Sequence, residues 1–177
     1  MSSDIAELQR KMNWPTVTLE PYAPPQHAIP VDLRNGGRFP SLGLTGPPPT
    51  SCREYPVFIG LAPYMGGLVP CKVVNSTCAK IGHTYKEYQI DGPFFVVPLN
   101  PLMMEWVHTS HGKIPHGRRP VEAGFEHTGE ALYHAVGLVD GVRVPGKAGE
   151  HLIKGAHLPY MGEERICPYY LILCWRN

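Results

Sequence analysis

Two stretches of the chain, VFIGLAPYMGGLVPCKV (57–73) and LYHAVGLVDGVRVPGKA (132–148), align with each other at an offset of 75 residues. Each contains two apolar runs separated by a glycine turn, and each carries a proline, one variable residue and a lysine near its end. Apolar runs of this length, bounded by Gly and Pro, predict short β-strands. Because the same pattern occurs twice at a fixed offset, we predict a duplicated structural unit.

The duplication extends outward from this pair. NGGRFP (35–40) aligns with SHGKIP (110–115), and YKEYQIDGPFFVV (85–97) aligns with YMGEERICPYYLI (160–172). Matched turns and apolar runs stay in register over more than sixty positions without an insertion. The identical pairs are Gly37/Gly112, Pro40/Pro115, Gly66/Gly141, Val69/Val144, Pro70/Pro145, Lys72/Lys147, Tyr85/Tyr160 and Pro93/Pro168.

We therefore predict two tandem, pseudo-symmetric repeats, residues 31–100 and 106–175, which form one compact unit and are joined by PLMMEW (101–106). A hydrophobic content of 43% with 18% charged residues is that of a globular protein. The 20 prolines and 19 glycines read as turns between short strands. The predicted fold class is all-β, with short antiparallel strands packed as a sandwich or a prism. The clearest strand-length runs are 57–62, 94–99, 131–139 and 169–175.

The N-terminal extension, residues 1–30, is predicted to hold one short helix. Asp4 and Glu7 suit a capping box, which predicts a helix over 3–13 that Pro15 ends. The prolines from 15 to 30 predict a linker without regular structure.

The net charge and the lack of several sequence motifs reduce the number of functional classes to consider. A formal net charge of +1 gives no electrostatic basis for binding nucleic acid, and no apolar run is long enough for a membrane span. Without an apolar leader, we expect a cytoplasmic or non-classically released protein whose five cysteines are reduced. His108, His111 and His116 fit no zinc spacing, and no nucleotide fingerprint is present, so no cofactor is expected.

The second repeat resembles a DM-nine repeat, and the first resembles it more loosely through the offset. The resemblance is carried by Trp106-Val107, Gly112-Lys113-Ile114-Pro115, Glu126-His127-Thr128-Gly129, Leu132-Tyr133, Pro145-Gly146-Lys147 and Tyr160-Met161-Gly162-Glu163-Glu164. Characterised two-repeat members of this family are lectins, including a mannose-binding one, in which the repeats exchange segments and the units pair as dimers. The resemblance therefore implies an all-β lectin-like homodimer that binds mannose or mannose-containing glycans.

The resemblance also implies one sugar site per repeat, built from an acidic turn and the lysine of Pro-Gly-Lys. In the second repeat these residues are Glu126 and Lys147, with Glu164 as a partner that orients the lysine. A carboxylate accepts hydrogen bonds from neighbouring sugar hydroxyls while an ammonium donates to a third oxygen. From the residues alone, the same pair also reads as an exposed ion pair that contributes about 0–1 kcal/mol.

The first-repeat site departs from this pattern. It keeps Lys72, but Ser51 stands at the acidic position, with Glu54 as a nearby substitute, and Gln89 stands where the second repeat has Glu164. We therefore expect the second site to be the better binder.

Three functions remain open on the sequence. The first is a non-enzymatic lectin, and the second is a protein-interaction module that has kept the fold and lost sugar binding. The third is an enzyme that uses the Glu126–Lys147 pair as acid and base. Tyr85 and Tyr160 could each offer a ring face to a sugar, although packing half-buried with the hydroxyl at the surface is the expected role.

Overall fold

The computed structural model describes residues 28–52, 55–90 and 92–177. The predicted helix over 3–13 and nearly all of the predicted linker lie outside these residues. Within the described residues the chain forms fourteen β-strands and two short helical segments, so the predicted all-β class is confirmed. The helical segments, which the sequence did not predict, are a 3-10 turn at Leu33–Asn35 and one helical turn at Leu42–Thr45.

The strands divide equally between the two halves. The first seven are β1 (Ile29–Val31), β2 (Thr50–Cys52), β3 (Tyr55–Tyr64), β4 (Gly67–Val74), β5 (Cys78–His83), β6 (Lys86–Ile90) and β7 (Phe94–Val96). The second seven are β8 (Met104–Ser110), β9 (Gly124–Phe125), β10 (Ala131–Val139), β11 (Val142–Ala148), β12 (Ala156–Tyr160), β13 (Glu163–Cys167) and β14 (Tyr169–Trp175). All four predicted apolar runs fall on strands, namely β3, β7, β10 and β14.

Two predicted connections are partly strands. The segment 101–106 was expected only to join the repeats, but β8 begins within it at Met104. The segment 15–30 was expected to lack regular structure, but Pro30 lies in β1. A proline is tolerated there because β1 is at the edge of the sheet, where a missing N–H leaves no partner unsatisfied.

The strands of the two repeats follow the same order in the sheet, counted inward from β1 at one end and from β8 at the other. The order runs β1-β7-β3-β4-β5-β6 in the first half and β13-β12-β11-β10-β14-β8 in the second, so that each strand has a counterpart seven places later in the chain. The two halves meet where β6 pairs with β13, Lys86 opposite Glu163. The backbone N–H of Glu87 donates to the carbonyl of Gly162 at this junction, 3.0 Å away. The predicted pair of pseudo-symmetric repeats is therefore confirmed.

The sheet closes on itself through the two-residue strand β9. This strand pairs with β10 of its own repeat and, through Phe125 opposite Leu68, with β4 of the other repeat. The counterpart strand β2 pairs with β3, and the hydroxyl of Thr50 donates to the carbonyl of Arg143 at the start of β11, 3.2 Å away. The strands thus form one closed sheet, and the expected sandwich of two stacked sheets is wrong.

The pairing of residues between strands shows where the ungapped alignment of the two repeats is wrong. The hairpins β3–β4 and β10–β11 do correspond at an offset of 75, with Lys72 opposite Ile59 and Lys147 opposite His134. The next hairpin does not, because its turn lies between His83 and Lys86 in the first repeat.

In the second repeat the same turn lies between Tyr160 and Glu163, which is 77 residues later. The two additional residues lie between β11 and β12. The connection 149–155 has seven residues against three at 75–77, because β11 and β12 are also each one residue shorter than β4 and β5. Glu164 therefore corresponds to Glu87, and the assignment of Gln89 as its counterpart is wrong.

Three buried clusters fill the fold. The first lies under the first repeat around Phe58 and Phe94, the second at the closure of the sheet around Phe95 and Phe125, and the third under the second repeat around Leu158. The four cysteines whose side chains are described form no disulfide. No helix in the described part of the chain is long and apolar enough to cross a membrane.

We predict that Gly124→Ala severely destabilises the protein. A Cβ at this position would lie 1.7 Å from the carbonyl oxygen of Leu68, so a side chain would separate β9 from β4 and open the sheet. The free energy of unfolding, measured by urea denaturation, is expected to fall by about 2–4 kcal/mol.

Gly43→Ala is the matched control. Its Cβ would meet nothing closer than 3.9 Å, and alanine favours the helical turn in which Gly43 lies. Equal stability of the Gly124→Ala variant and the wild type would contradict the closure through β9.

Candidate ligand-binding site

A buried carboxylate, Glu87, lies at the junction of the repeats between two lysines. Its oxygens are 2.8 Å from the ammonium of Lys72 and 3.0 Å from that of Lys80. The side chain of Glu87 is 7% exposed. The ammonium of Lys72 also donates to the carbonyl of Pro159 in the other repeat. We call Glu87, Lys72 and Lys80 the first-repeat cluster.

Glu164 occupies the corresponding position in the second repeat. One of its oxygens contacts Nδ1 of His157, the counterpart of Lys80, and the other accepts the backbone N–H of Tyr85 at 2.9 Å. Lys147, the counterpart of Lys72, lies near enough for its charge to act on the carboxylate. We call Glu164, His157 and Lys147 the second-repeat cluster. Each cluster therefore bonds to the backbone of the opposite repeat.

Both carboxylates are held in their ionised form. Burial alone would raise the pKa of Glu164, but the hydrogen bond and charge of His157, the N–H of Tyr85 and the charge of Lys147 lower it below its ordinary value. Burial would likewise raise the pKa of Glu87, and the hydrogen bonds and charges of Lys72 and Lys80 lower it. The lysines are thus counter-charges to buried acids.

The structure brings together the two principal residues expected for the second-repeat site. The ammonium of Lys147 is 3.1 Å from an oxygen of Glu126, and Nε2 of His151 is 3.5 Å from the same oxygen. Glu126 lies in the turn that follows β9, as expected. Lys147 lies within β11 rather than in a loop, and its side chain is only 6% exposed, so the pair is more buried than a surface ion pair.

A cavity of about 370 Å³ opens beside Lys147 at the junction of the repeats. The first repeat contributes His83, Thr84 and Tyr85 from the β5–β6 turn. The second repeat contributes side chains from β11, β12, β13 and the 149–155 connection, which are Lys147, His151, Leu152, Ile153, Lys154, His157, Glu164 and Ile166. A smaller recess of about 50 Å³, lined by Glu126, lies on another side of the same lysine.

The cavity combines charged and apolar groups. It offers the carboxylate of Glu164 as an acceptor, ammonium and imidazole groups as donors, and the exposed side chains of Tyr85 and Ile153. Nothing in the described part of the chain groups three or more metal-binding side chains. Chemically, this arrangement suits a small neutral ligand with several hydroxyls and some apolar surface.

Of the first-repeat site expected from the sequence, the structure describes Lys72 and Ser51. Lys72 is paired with Glu87, and Ser51 is exposed on β2 opposite Pro56. By strand register Ser51 corresponds to Phe125, which makes Cys52 the counterpart of Glu126. Glu54 lies outside the described residues.

The expected roles of the tyrosines also differ. Tyr160 packs half-buried against the third core cluster, as expected. Tyr85 does not pack half-buried, because it is 70% exposed in the turn at the cavity.

Sequence reasoning missed the two histidines of the site and the acid of the first-repeat cluster. His151 lies in the longer connection, whose extra length an ungapped comparison conceals. His157 and Glu87 could have been found by placing the turn Thr84-Tyr85 on Met161-Gly162, because both pairs separate two strands with alternating polar residues.

The chain matches one family model and is similar to a solved structure. The family model described as the DM9 repeat matches residues 52–167. No curated protein matches the sequence at a significant level. Among solved structures, the chain is similar to the crystal structure of the nematode sperm cell motility protein MFP2B, with a TM-score of 0.56 and 18% sequence identity. The alignment covers 86% of this chain and 43% of that one, so the chain spans less than half the length of MFP2B, and at this identity the likeness shows the fold alone.

We predict that acid destabilises the protein through the two buried carboxylates. Because the pKa values of Glu87 and Glu164 are lowered by folding, the unfolded chain takes up protons first as the pH falls through about 4.3. Stability is therefore present above this pH and lost below it. Glu87→Gln is expected to lower the free energy of unfolding at pH 7 by about 1–3 kcal/mol and to flatten its decline between pH 5 and 3, in urea titrations.

Glu163→Gln is the control, since this neighbouring carboxylate is 62% exposed and its ion pair with exposed Arg165, at 2.9 Å, lies at the surface. Its stability curve should run parallel to that of the wild type. Parallel curves for Glu87→Gln as well would contradict the assignment.

Proposed function

Because this chain belongs to the DM9 repeat family, we propose that it is a non-enzymatic, lectin-like protein that binds mannose-type glycans in the cavity between its repeats. The observation that carries the proposal is the composition of that cavity. It sets Lys147, which is paired with Glu126 of the adjoining recess, and the ionised carboxylate of Glu164 beside exposed apolar side chains. A pyranose presents the complementary combination of adjacent hydroxyls and C–H groups.

The hydrogen-bonding groups match those of a sugar. A hydroxyl both donates and accepts, so one hydroxyl can donate to Glu126 or Glu164 while its oxygen accepts from Lys147 or His151. Hydrogen bonds to charged groups contribute about 1.5–3 kcal/mol each. These carboxylates and bases are already oriented by one another, so a ligand does not have to order them.

The second repeat is the stronger candidate for this role. Its 149–155 connection supplies His151, Leu152, Ile153 and Lys154 to the cavity, whereas the counterpart at 75–77 is a three-residue turn. In the first repeat, Lys72 is fully engaged with Glu87 and the carbonyl of Pro159. We therefore propose one principal binding site in each chain.

A single site of this size is expected to bind a monosaccharide with a dissociation constant between about 10 µM and 1 mM. The family resemblance also implies a homodimer, which would present two cavities and strengthen binding to multivalent glycans by avidity. Sedimentation analysis measures directly whether the chain forms this homodimer.

We predict that Lys147→Met and Glu126→Gln each weaken binding of mannose at least tenfold. Both substitutions preserve most of the side-chain volume while removing a charge, so the expected loss corresponds to one charge-assisted hydrogen bond. Isothermal titration with mannose and a glycan array measure the effect, and circular dichroism verifies folding.

Lys113→Met removes an exposed lysine that does not line the cavity and should bind like the wild type. Lys72→Met should reduce stability more than affinity. A wild-type protein that gives no signal on a glycan array would overturn the proposed function, and undiminished binding by folded Lys147→Met would overturn the site.

A further inference from the structure

We propose that the ring of Tyr85 is a specificity-determining surface that stacks on the apolar face of a sugar ring entering the cavity. This inference rests on the proposed function and adds an aromatic surface from the first repeat to polar groups that come from the second. Four observations on Tyr85 support it: its backbone conformation, its exposure, its backbone hydrogen bond and its position.

The backbone of Tyr85 has a conformation that favours glycine. Thr84 and Tyr85 have φ values of 48° and 65°, which places two side chains with a Cβ in the left-handed region. The corresponding turn in the second repeat is Met161-Gly162, with glycine at the second position. Glycine also follows the first left-handed residue in the turns at 65–66, 111–112 and 140–141. Tyr85 thus stands where four of the five other two-residue left-handed turns in the described residues use glycine, the exception being Asn75-Ser76.

The fold itself makes no use of the ring. Tyr85 is 70% exposed, so its side chain contributes little to a buried cluster. What the structure uses is its backbone N–H, which donates to the carboxylate of Glu164 at 2.9 Å. A glycine would supply the same N–H without conformational strain. A strained, exposed aromatic residue at a site is the kind of outlier that points to a function.

The position of the ring supplies that function. Tyr85 lines the cavity from the first repeat, and Ile153, which is 69% exposed, lines it from the second. The polar groups of the cavity, Glu164 and Lys147, address the hydroxyls of a ligand. The C–H groups on one face of a pyranose need an apolar surface, and an aromatic ring provides one with little loss of side-chain entropy.

The decisive experiment separates stability from binding. Tyr85→Gly and Tyr85→Asn both remove the ring and tolerate a left-handed backbone, while Tyr85→Phe keeps the ring and removes the hydroxyl. Each variant is titrated with D-mannose by calorimetry and melted without ligand. We expect Tyr85→Gly to raise the melting temperature by about 2–4 °C and to weaken mannose binding by about 3–10-fold. Tyr85→Asn should weaken binding to a similar extent, and Tyr85→Phe should bind like the wild type.

Tyr169→Ala is the control, because this tyrosine is 74% exposed and does not line the cavity. If the wild type binds mannose and both variants without the ring bind equally well, the inference fails and the proposed function stands. If Tyr85→Phe loses as much affinity as Tyr85→Gly, the hydroxyl and not the ring face is responsible, which also overturns the inference. If the wild type binds no glycan, the proposed function fails and the inference fails with it.

Discussion

The structure depends on the neutralisation of two buried carboxylates, Glu87 and Glu164, where the repeats meet. Each is neutralised by a basic side chain from its own repeat. Glu164 accepts a hydrogen bond directly from the backbone of the other repeat, whereas Glu87 holds Lys72, which donates to that backbone. A buried carboxylate without a counter-charge costs several kcal/mol, so neither repeat can dispense with these bases. The same groups hold the junction together and, in the second repeat, line a cavity.

This double use explains why a lysine recurs in both repeats although the cavity described above lies beside Lys147 of the second. Lys72 and Lys147 are counter-charges in both halves, and this requirement alone accounts for their presence. The proposed binding capacity would come from the surroundings of Lys147. Glu126 gives Lys147 a second acid, and the longer 149–155 connection builds a wall that the first repeat lacks. The duplicated hairpin is therefore a scaffold, and the proposed function belongs to what differs between the copies.

The sequence predicted the duplication and the strands with continuous apolar runs, because β3, β7, β10 and β14 are covered by other elements. It did not predict β5, β6, β12 and β13, because polar residues interrupt their apolar ones and give these strands a composition that resembles loops. Glu126 and Lys147 were found through the family resemblance, and the structure places them in contact. Glu87 was missed because an ungapped offset of 75 pairs Glu164 with Gln89, whereas hydrogen-bond register pairs it with Glu87. An ungapped comparison of residues does not detect a two-residue difference in one connection. That difference nevertheless changes which residues correspond between the repeats beyond it.

The bridging of the two halves by β9 has a consequence for the origin of the molecule. One copy of the repeat alone would present the unpaired edge of its hairpin and a protruding short strand, each fitting only a second copy. A single-copy ancestor would thus have existed as a self-associating pair whose formation depended on its concentration. Joining the copies in tandem made that pairing unimolecular and released the two surfaces from having to stay identical. The three-residue and seven-residue connections now found at matching places are what such a release permits.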